Sequence, residues 1–280
     1  MNINNPVRPS PIAGSWYPSN PVLLSSEIKS YVDQAKLPHL PGEVVGLISP
    51  HAGYFYSGAT AGYAYRCVQG RTYDICTVFS PLHDFLPYDL MTSAHHAYGT
   101  PLGNVQVDLD TIRYLVPKIE EKTGVSLQHI SNDREHSLEI QLPFLQTVLA
   151  ADFKLIPIMV RTHDPIVLRG AAQAVADVLK DKNVLLVAST DLSHFYTESE
   201  ANDLDAEMIR QMTGFSPEGV LKAESCGEGF ACGAGAVALM LWTAHFLGAS
   251  KVSLLHHSTS AEASGDTGRV VGYGALAVTK

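Results

Sequence analysis

Cysteine is sparse in this chain: Cys67, Cys76, Cys226 and Cys232 are the only four in 280 residues, and no two form a Cys-x-x-Cys pair. That spacing excludes a zinc ribbon and suggests no disulfide framework, so thiols in a reducing compartment are expected. Basic residues are also few. The 19 Lys and Arg against 28 Asp and Glu leave a formal net charge of -9, and no Lys/Arg-rich stretch offers a footprint for nucleic acid or anionic lipid. No run approaches the roughly 18 consecutive apolar residues of a membrane span. The start, Met1 to Arg8, lacks the charged-then-apolar order of a signal peptide, which points to a cytoplasmic protein. Repeats, low-complexity tracts and linkers are absent, so a single domain over 1–280 is the simplest account. The helix motifs of zinc proteases, such as His-Glu-x-x-His, are missing too, which disfavours zinc hydrolysis.

What is present is ordinary globular composition, 46% apolar and 17% charged, arranged as alternating strands and helices. Three apolar runs end in the same way. Gly46-Leu-Ile-Ser-Pro-His51, Thr77-Val-Phe-Ser-Pro-Leu-His83 and Val184-Leu-Leu-Val-Ala-Ser-Thr-Asp-Leu-Ser-His194 each stop at small hydroxyl residues and then present an imidazole. In an open α/β sheet, ligands bind beyond the carboxyl ends of strands. Histidines distant in sequence can therefore meet there, and a metal site is expected, non-haem iron first.

Further strands are read at 89–94, 153–160, 251–258 and 269–278. Helices are read at 22–35 after Asn20-Pro21, 57–68, 109–122 behind Asp108, 165–180 behind Asp164, 197–212 behind a Thr197/Glu200 capping box, from Pro217, and 236–247. Asn132-Asp-Arg-Glu135 resembles a capping box that opens a helix from His136 to Leu149, kinked or broken at Pro143. Adjacent His95 and His96 would point to opposite faces of a strand, which argues against both ligating one ion.

A lone histidine is more often structural than a ligand, but the shared context singles out His51 and His83. A third protein ligand is then needed, and the usual iron arrangement supplies a carboxylate. Cys232 is a substitute: it precedes an apolar helix whose N–H groups and dipole favour thiolate, and its glycine neighbours let backbone approach closely. Its bland alternative is a buried thiol. Asp191 and His194 share a loop and suit the roles of acceptor and acid/base, or else of loop scaffold. Glu135, His136 and Glu139 lie within about one turn of chain and either orient a ligand or form a solvated helix start. The aromatics Trp16, Tyr17, Tyr54 and Tyr56 could border the pocket.

With Gly14-Ser-Trp-Tyr-Pro18, Pro50-His-Ala-Gly-Tyr54, Ser80-Pro-Leu-His83, Glu135-His-Ser-Leu-Glu-Ile-Gln-Leu-Pro143, Ser189-Thr-Asp-Leu-Ser-His194 and Ala231-Cys-Gly233 in order, the chain resembles the Memo family. Its bacterial and archaeal members are called AmmeMemoRadiSam system protein B. That family is similar to the class III extradiol dioxygenases, which hold non-haem iron(II) in a three-layer α/β/α fold with a mixed sheet. The resemblance implies His51, His83 and Cys232 as metal ligands with Asp191 and His194 beside them. Cys232 stands where the dioxygenases have glutamate, and a softer thiolate admits copper as well as iron, so ring opening does not follow. The substrate would be an unidentified small molecule. The family name also implies a pathway link to radical-SAM and AMMECR-type proteins. Animal relatives suggest the alternative, a non-catalytic protein that binds a ligand or peptide in the same crevice.

Overall fold

A computed structural model describes residues 6–280; the leader reading rests partly on Met1 to Asn5, which lie outside the described residues. In chain order the first elements are β1 (Val7–Arg8), α1 (Pro21–Gln34), β2 (Val44–Ser49), α2 (Tyr54–Arg66), β3 (Ile75–Pro81), β4 (Leu90–Ser93), β5 (Ala97–Thr100) and β6 (Gly103–Gln106). Then come α3 (Leu109–Thr123), β7 (Leu127–Ile130), α4 (Leu142–Val148), β8 (Lys154–Val160), α5 (Pro165–Leu179), β9 (Val184–Ser189) and β10 (His194–Tyr196). The chain closes with α6 (Glu198–Thr213), α7 (Pro217–Cys226), α8 (Ala234–Phe246), β11 (Lys251–Thr259), α9 (Ala261–Ser264) and β12 (Val270–Thr279).

The main sheet is mixed. Strands β2, β9, β3 and β8 lie side by side and parallel at its centre. Antiparallel β12 and then β11 extend it beyond β2, while β4 and β7 extend it beyond β8. The central strands are almost continuously buried and read as apolar runs, as parallel strands covered on both faces do. Helices α1, α2 and α4 pack together, with α2 against β2, β11 and β12. Helices α3, α5 and α8 form the other group, with α8 against β2, β3, β8 and β9. The result is an α/β arrangement of three layers. Helix α8 is apolar on all sides because it is buried on all sides. A single buried cluster runs from Ile12 to Val278. Among the described residues no helix is long and apolar enough to cross a membrane.

Local signals place the helices well. Asn20, Asp108 and Asp164 accept N–H bonds at the starts of α1, α3 and α5, and Thr197 with Glu200 forms the capping box of α6. The segment after Asn132 departs from its reading. No helix starts at His136; a single 3-10 turn at Glu139–Gln141 leads into the short α4. Pro143 falls in the first turn of α4, where its missing N–H has no partner to lose, so it starts the helix rather than kinking one. Glu135 is drawn away from capping by His83. His95 is buried, with its Nε2 accepting the Asn132 N–H at 3.1 Å, while His96 is exposed.

Candidate metal centre

Because β2, β9 and β3 are adjacent and parallel, the turns after Ser49, Ser189 and Pro81 open onto one place. His51, Asp191 and His83 come from these three turns. His51 is fully buried, and its Nδ1 lies 3.0 Å from the Ser189 hydroxyl. That hydroxyl donates to the Ser137 carbonyl at 2.6 Å and accepts from Gln141 Nε2 at 2.8 Å. Gln141 is itself fixed, donating to the Pro50 carbonyl at 2.9 Å and accepting from the Tyr65 hydroxyl at 2.7 Å. The Ser189 proton is therefore spoken for, and His51 must donate from Nδ1. Its Nε2 keeps a lone pair. Burial, then the neighbouring His83, lowers the His51 pKa to about 3, which keeps the ring neutral.

Glu135 does the corresponding work for His83. Its carboxylate accepts the His83 backbone N–H at 2.6 Å and faces Nδ1 at 3.0 Å, leaving Nε2 outward. Burial would raise the Glu135 pKa, but the hydrogen bonds and charge of His83 outweigh it and hold the carboxyl well below its usual range. In turn His83 is raised, since Glu135 overcomes the burial that lowers it. His136 packs on Trp16 with ring centroids 4.2 Å apart, and burial followed by His51 lowers its pKa to about 4. The donor atoms of His51, His83 and His136 all lie within 4.8 Å of one another, a set that could hold a metal ion.

Ring orientation separates these three. The His51 plane crosses those of His83 and His136 alike at 83°, with centroids 5.4 Å apart in each pair, so an ion can lie in the His51 plane and in either of the other two. His83 and His136 are stacked, with planes 19° apart and centroids at 4.7 Å. An ion in the plane of one stacked ring meets the other across its face, where there is no lone pair. Cys232 is a further donor beside His51. Its Sγ sits 3.2 Å from His51 Nε2 and receives the Asp191 backbone N–H at 3.3 Å. The expected helix-dipole effect does not win in the metal-free protein: burial, then the Asp191 carboxylate, raises the thiol pKa. A cation bound there would reverse that balance, because a coordinating thiol loses its proton.

The Asp191 carboxylate accepts the backbone N–H groups of His51 at 2.7 Å and Ala52 at 3.3 Å, while burial raises its pKa. His194 donates Nδ1–H to the Leu192 carbonyl at 2.8 Å, which leaves Nε2 as its free nitrogen. His51, His83, His136, Asp191 and His194 all line one cleft of about 680 Å³, with Trp16, Tyr56 and Arg269 among its other walls. Such a size suits a small organic molecule.

Cys232 and Glu135 are not among the residues lining this cleft, and three further candidates, Tyr17, Tyr54 and Glu139, stand back from it. Tyr54 is buried and donates to the Ile140 carbonyl at 2.8 Å. Tyr17 donates to Glu139 at 2.7 Å, and Glu139 pairs with Arg8 at 2.6 Å, all buried. Tyr17 and Glu139 thus tie the N-terminal segment to the chain bearing Glu135 and His136, so Glu139 does not sit at a solvated helix start. Sequence reasoning missed Ser189 and Gln141, although both lie in quoted motifs; the available signal was a hydroxyl residue at a strand end beside an imidazole turn.

A mixed α/β sheet with histidines converging beyond its parallel strand ends defines a class of α/β protein with a candidate metal site. The particular family follows from comparison: the Memo-like protein family model matches residues 8–277, and the chain belongs to the Memo family. It is similar to a MEMO1 family protein of Nitrosopumilus maritimus, 32% identical over 275 residues, covering 96% of this chain and 98% of that one. A MEMO1 family protein of Methanopyrus kandleri is 31% identical over 280 residues, with the same coverage of 96% and 98%. Another from Thermotoga neapolitana is 35% identical over 282 residues, covering 95% of this chain and 98% of its own.

Proposed function

We propose that the protein is a metal-dependent redox enzyme acting on a small molecule, with iron(II), or copper, held by His51, His83 and Cys232. The observation that carries this reading is the 3.2 Å approach of His51 Nε2 to Cys232 Sγ, beside a His83 ring whose Nδ1 is held by Glu135 at 3.0 Å so that Nε2 is left for a ligand. Two imidazoles, which coordinate in their neutral form, and a thiol that ionises on coordination suit either metal. When bound, the metal supplies electron transfer and Lewis acidity. The resemblance to class III extradiol dioxygenases agrees with a site at the carboxyl ends of parallel strands.

The chain's own residues supply the rest. Ser189 and Glu135 fix the two imidazoles by their Nδ1 atoms. His194, with Nδ1–H committed to a carbonyl, can take a substrate proton at Nε2 and return it. Trp16 packs on His136 at one wall of the cleft, where its indole would limit water.

Metal content of protein purified without oxygen tests the reading. Near-stoichiometric metal in the parent, lost in His51→Ala and Cys232→Ser but kept in His136→Gln, is expected. No metal in the parent after anaerobic reconstitution overturns it. A second reading, non-catalytic capture of a ligand or peptide, draws support from Phe55 and Phe195, 68% and 59% exposed at the same cleft. Oxygen uptake by metal-loaded protein with catechols and thiols separates the two, since a binder consumes none beyond autoxidation.

A further inference from the structure

The outer wall of the cleft has its own construction. Strand β10 pairs antiparallel with the first residues of β12, His194 opposite Val271 and Tyr196 opposite Val270, with an irregularity between them. The residue thrown out at this bulge is Phe195, whose φ of 67° is left-handed, a conformation strained for a bulky side chain. Its ring is presented to the cleft, and the Arg269 guanidinium lies over it, 4.8 Å from the centroid. The same two-stranded piece that fixes His194 therefore also fixes Arg269.

Arg269 is the one lysine or arginine on the cleft wall, and among the described residues it forms no ion pair. Asp266 shares the wall, but its carboxylate accepts the Gly268 N–H at 2.9 Å instead. A stacked guanidinium keeps its edge free for a planar, two-oxygen anion. One guanidinium matches one carboxylate, whereas a phosphate dianion beside Asp191 and Asp266 would be left short of positive charge.

We propose that Arg269 is the specificity residue of the cleft and that the small molecule bound there carries a carboxylate. The carboxylate docks on Arg269 at the mouth, and an apolar body runs inward past Phe55, Tyr56 and Tyr273 towards the histidines. This rests on the reading that the cleft holds a substrate against the histidine and cysteine centre. A backbone bulge that positions Phe195, the platform of Arg269, and the acid/base His194 together links recognition at the mouth to chemistry at the base.

The test is calorimetric titration with ω-phenylalkanoates of increasing chain length, their primary amides, and the phosphate esters of the matching alcohols. The parent is expected to bind at least one carboxylate about tenfold or more tightly than its amide, as a charge-assisted hydrogen-bond pair implies. Arg269→Gln should abolish that preference and Arg269→Lys retain part of it, with thermal unfolding unchanged in both. Equal binding of acid and amide, a preference that survives Arg269→Gln, tighter binding of the phosphate, or no binding of any probe each overturns the proposal. Metal content of the same preparations keeps the two readings apart. Carboxylate preference in metal-free protein and in Cys232→Ser upholds the anion site even if the redox reading falls, while loaded protein without preference sinks the anion site alone.

Discussion

His51 and Ser189 face each other across neighbouring parallel strand ends, with Nδ1 and Oγ 3.0 Å apart. Because the serine proton goes to Ser137 and a Gln141 amide proton also arrives at Oγ, only one histidine tautomer satisfies the group. Ser189→Ala removes the acceptor and leaves two buried donors unpaired. Metal affinity is expected to fall about 10- to 100-fold, the usual cost of losing the group that orients a ligand. Competition with a chelator of known affinity measures it. Gln141→Leu should fall in the same direction by less, since Ser189 then remains.

Glu135 is the equivalent support for His83 and also holds the chain, accepting the Ser137 N–H at 2.7 Å. Glu135→Gln keeps the shape but replaces one acceptor oxygen by a donor that faces other donors. A drop of about 10-fold or more in metal affinity is expected, together with a lower unfolding midpoint. Unchanged affinity would mean that His83 needs no partner to be oriented.

How much of this was legible in the sequence depended on whether a residue's partner was local. His51, His83, Asp191 and His194 could be placed because an apolar run ending in hydroxyl residues marks a strand end, and strand ends converge. Helix starts were readable from Asn20, Asp164 and Thr197 because their caps lie within three residues. The segment from Asn132 to Pro143 was misread for the opposite reason. Its local pattern suits a capping box, yet Glu135 bonds to His83 and Glu139 to Arg8, 52 and 131 residues away. Long-range partners of buried charge override a local cap worth about 1 kcal/mol.

Acid should destabilise the metal-free protein. His51 and His136 are buried neutral, with pKa values lowered from 6.5 to about 3 and about 4. Between those values and 6.5 the unfolded chain binds protons that the folded one does not, so their contribution rises with pH and is lost as pH falls. Glu135, also lowered, acts in the same sense below its unfolded value of 4.5. Asp191 and Glu139, raised by burial, oppose it within the carboxylate range, and His83, raised by Glu135, opposes it near and above 6.5, where it is one group against the two lowered imidazoles. Urea midpoints should therefore fall as pH drops through the window from about 6.5 to 4, and His136→Asn should flatten that slope. A pH-independent midpoint there contradicts the buried neutral imidazoles.

Arg8 is fully buried and joins Asp133 at 2.8 Å, Glu139 at 2.6 Å and the Glu135 carbonyl at 2.6 Å. Arg8→Met would strand two carboxylates in a dry site. Removing one member of a buried pair costs about 3–5 kcal/mol, and a loss of that order in denaturant unfolding is expected. Arg8→Met with Glu139→Gln should recover part of it. Metal loading of the folded single variant should also weaken, because the same guanidinium holds the backbone that carries Glu135.

Gly233 decides where Cys232 can be. A Cβ at this position would lie 2.5 Å from the Ser189 carbonyl oxygen and 2.8 Å from Thr190 Cβ, and its N–H already bonds Thr190 Oγ1 at 2.9 Å. The start of α8 is thus pressed against the end of β9, which brings Sγ to His51. Gly233→Ala must push the two apart, since backbone and a β-branched side chain do not yield as a flexible chain end would. The expected result is reduced metal content with Cys232 still present, and a more reactive thiol towards a maleimide as the sulfur loses its burial. Cys232→Ser, by contrast, should lose metal while leaving α8 in place. If Gly233→Ala binds metal as the parent does, close contact between β9 and α8 is not what delivers the sulfur, and the donor set would pass to His51, His83 and His136 after rotation of the stacked ring.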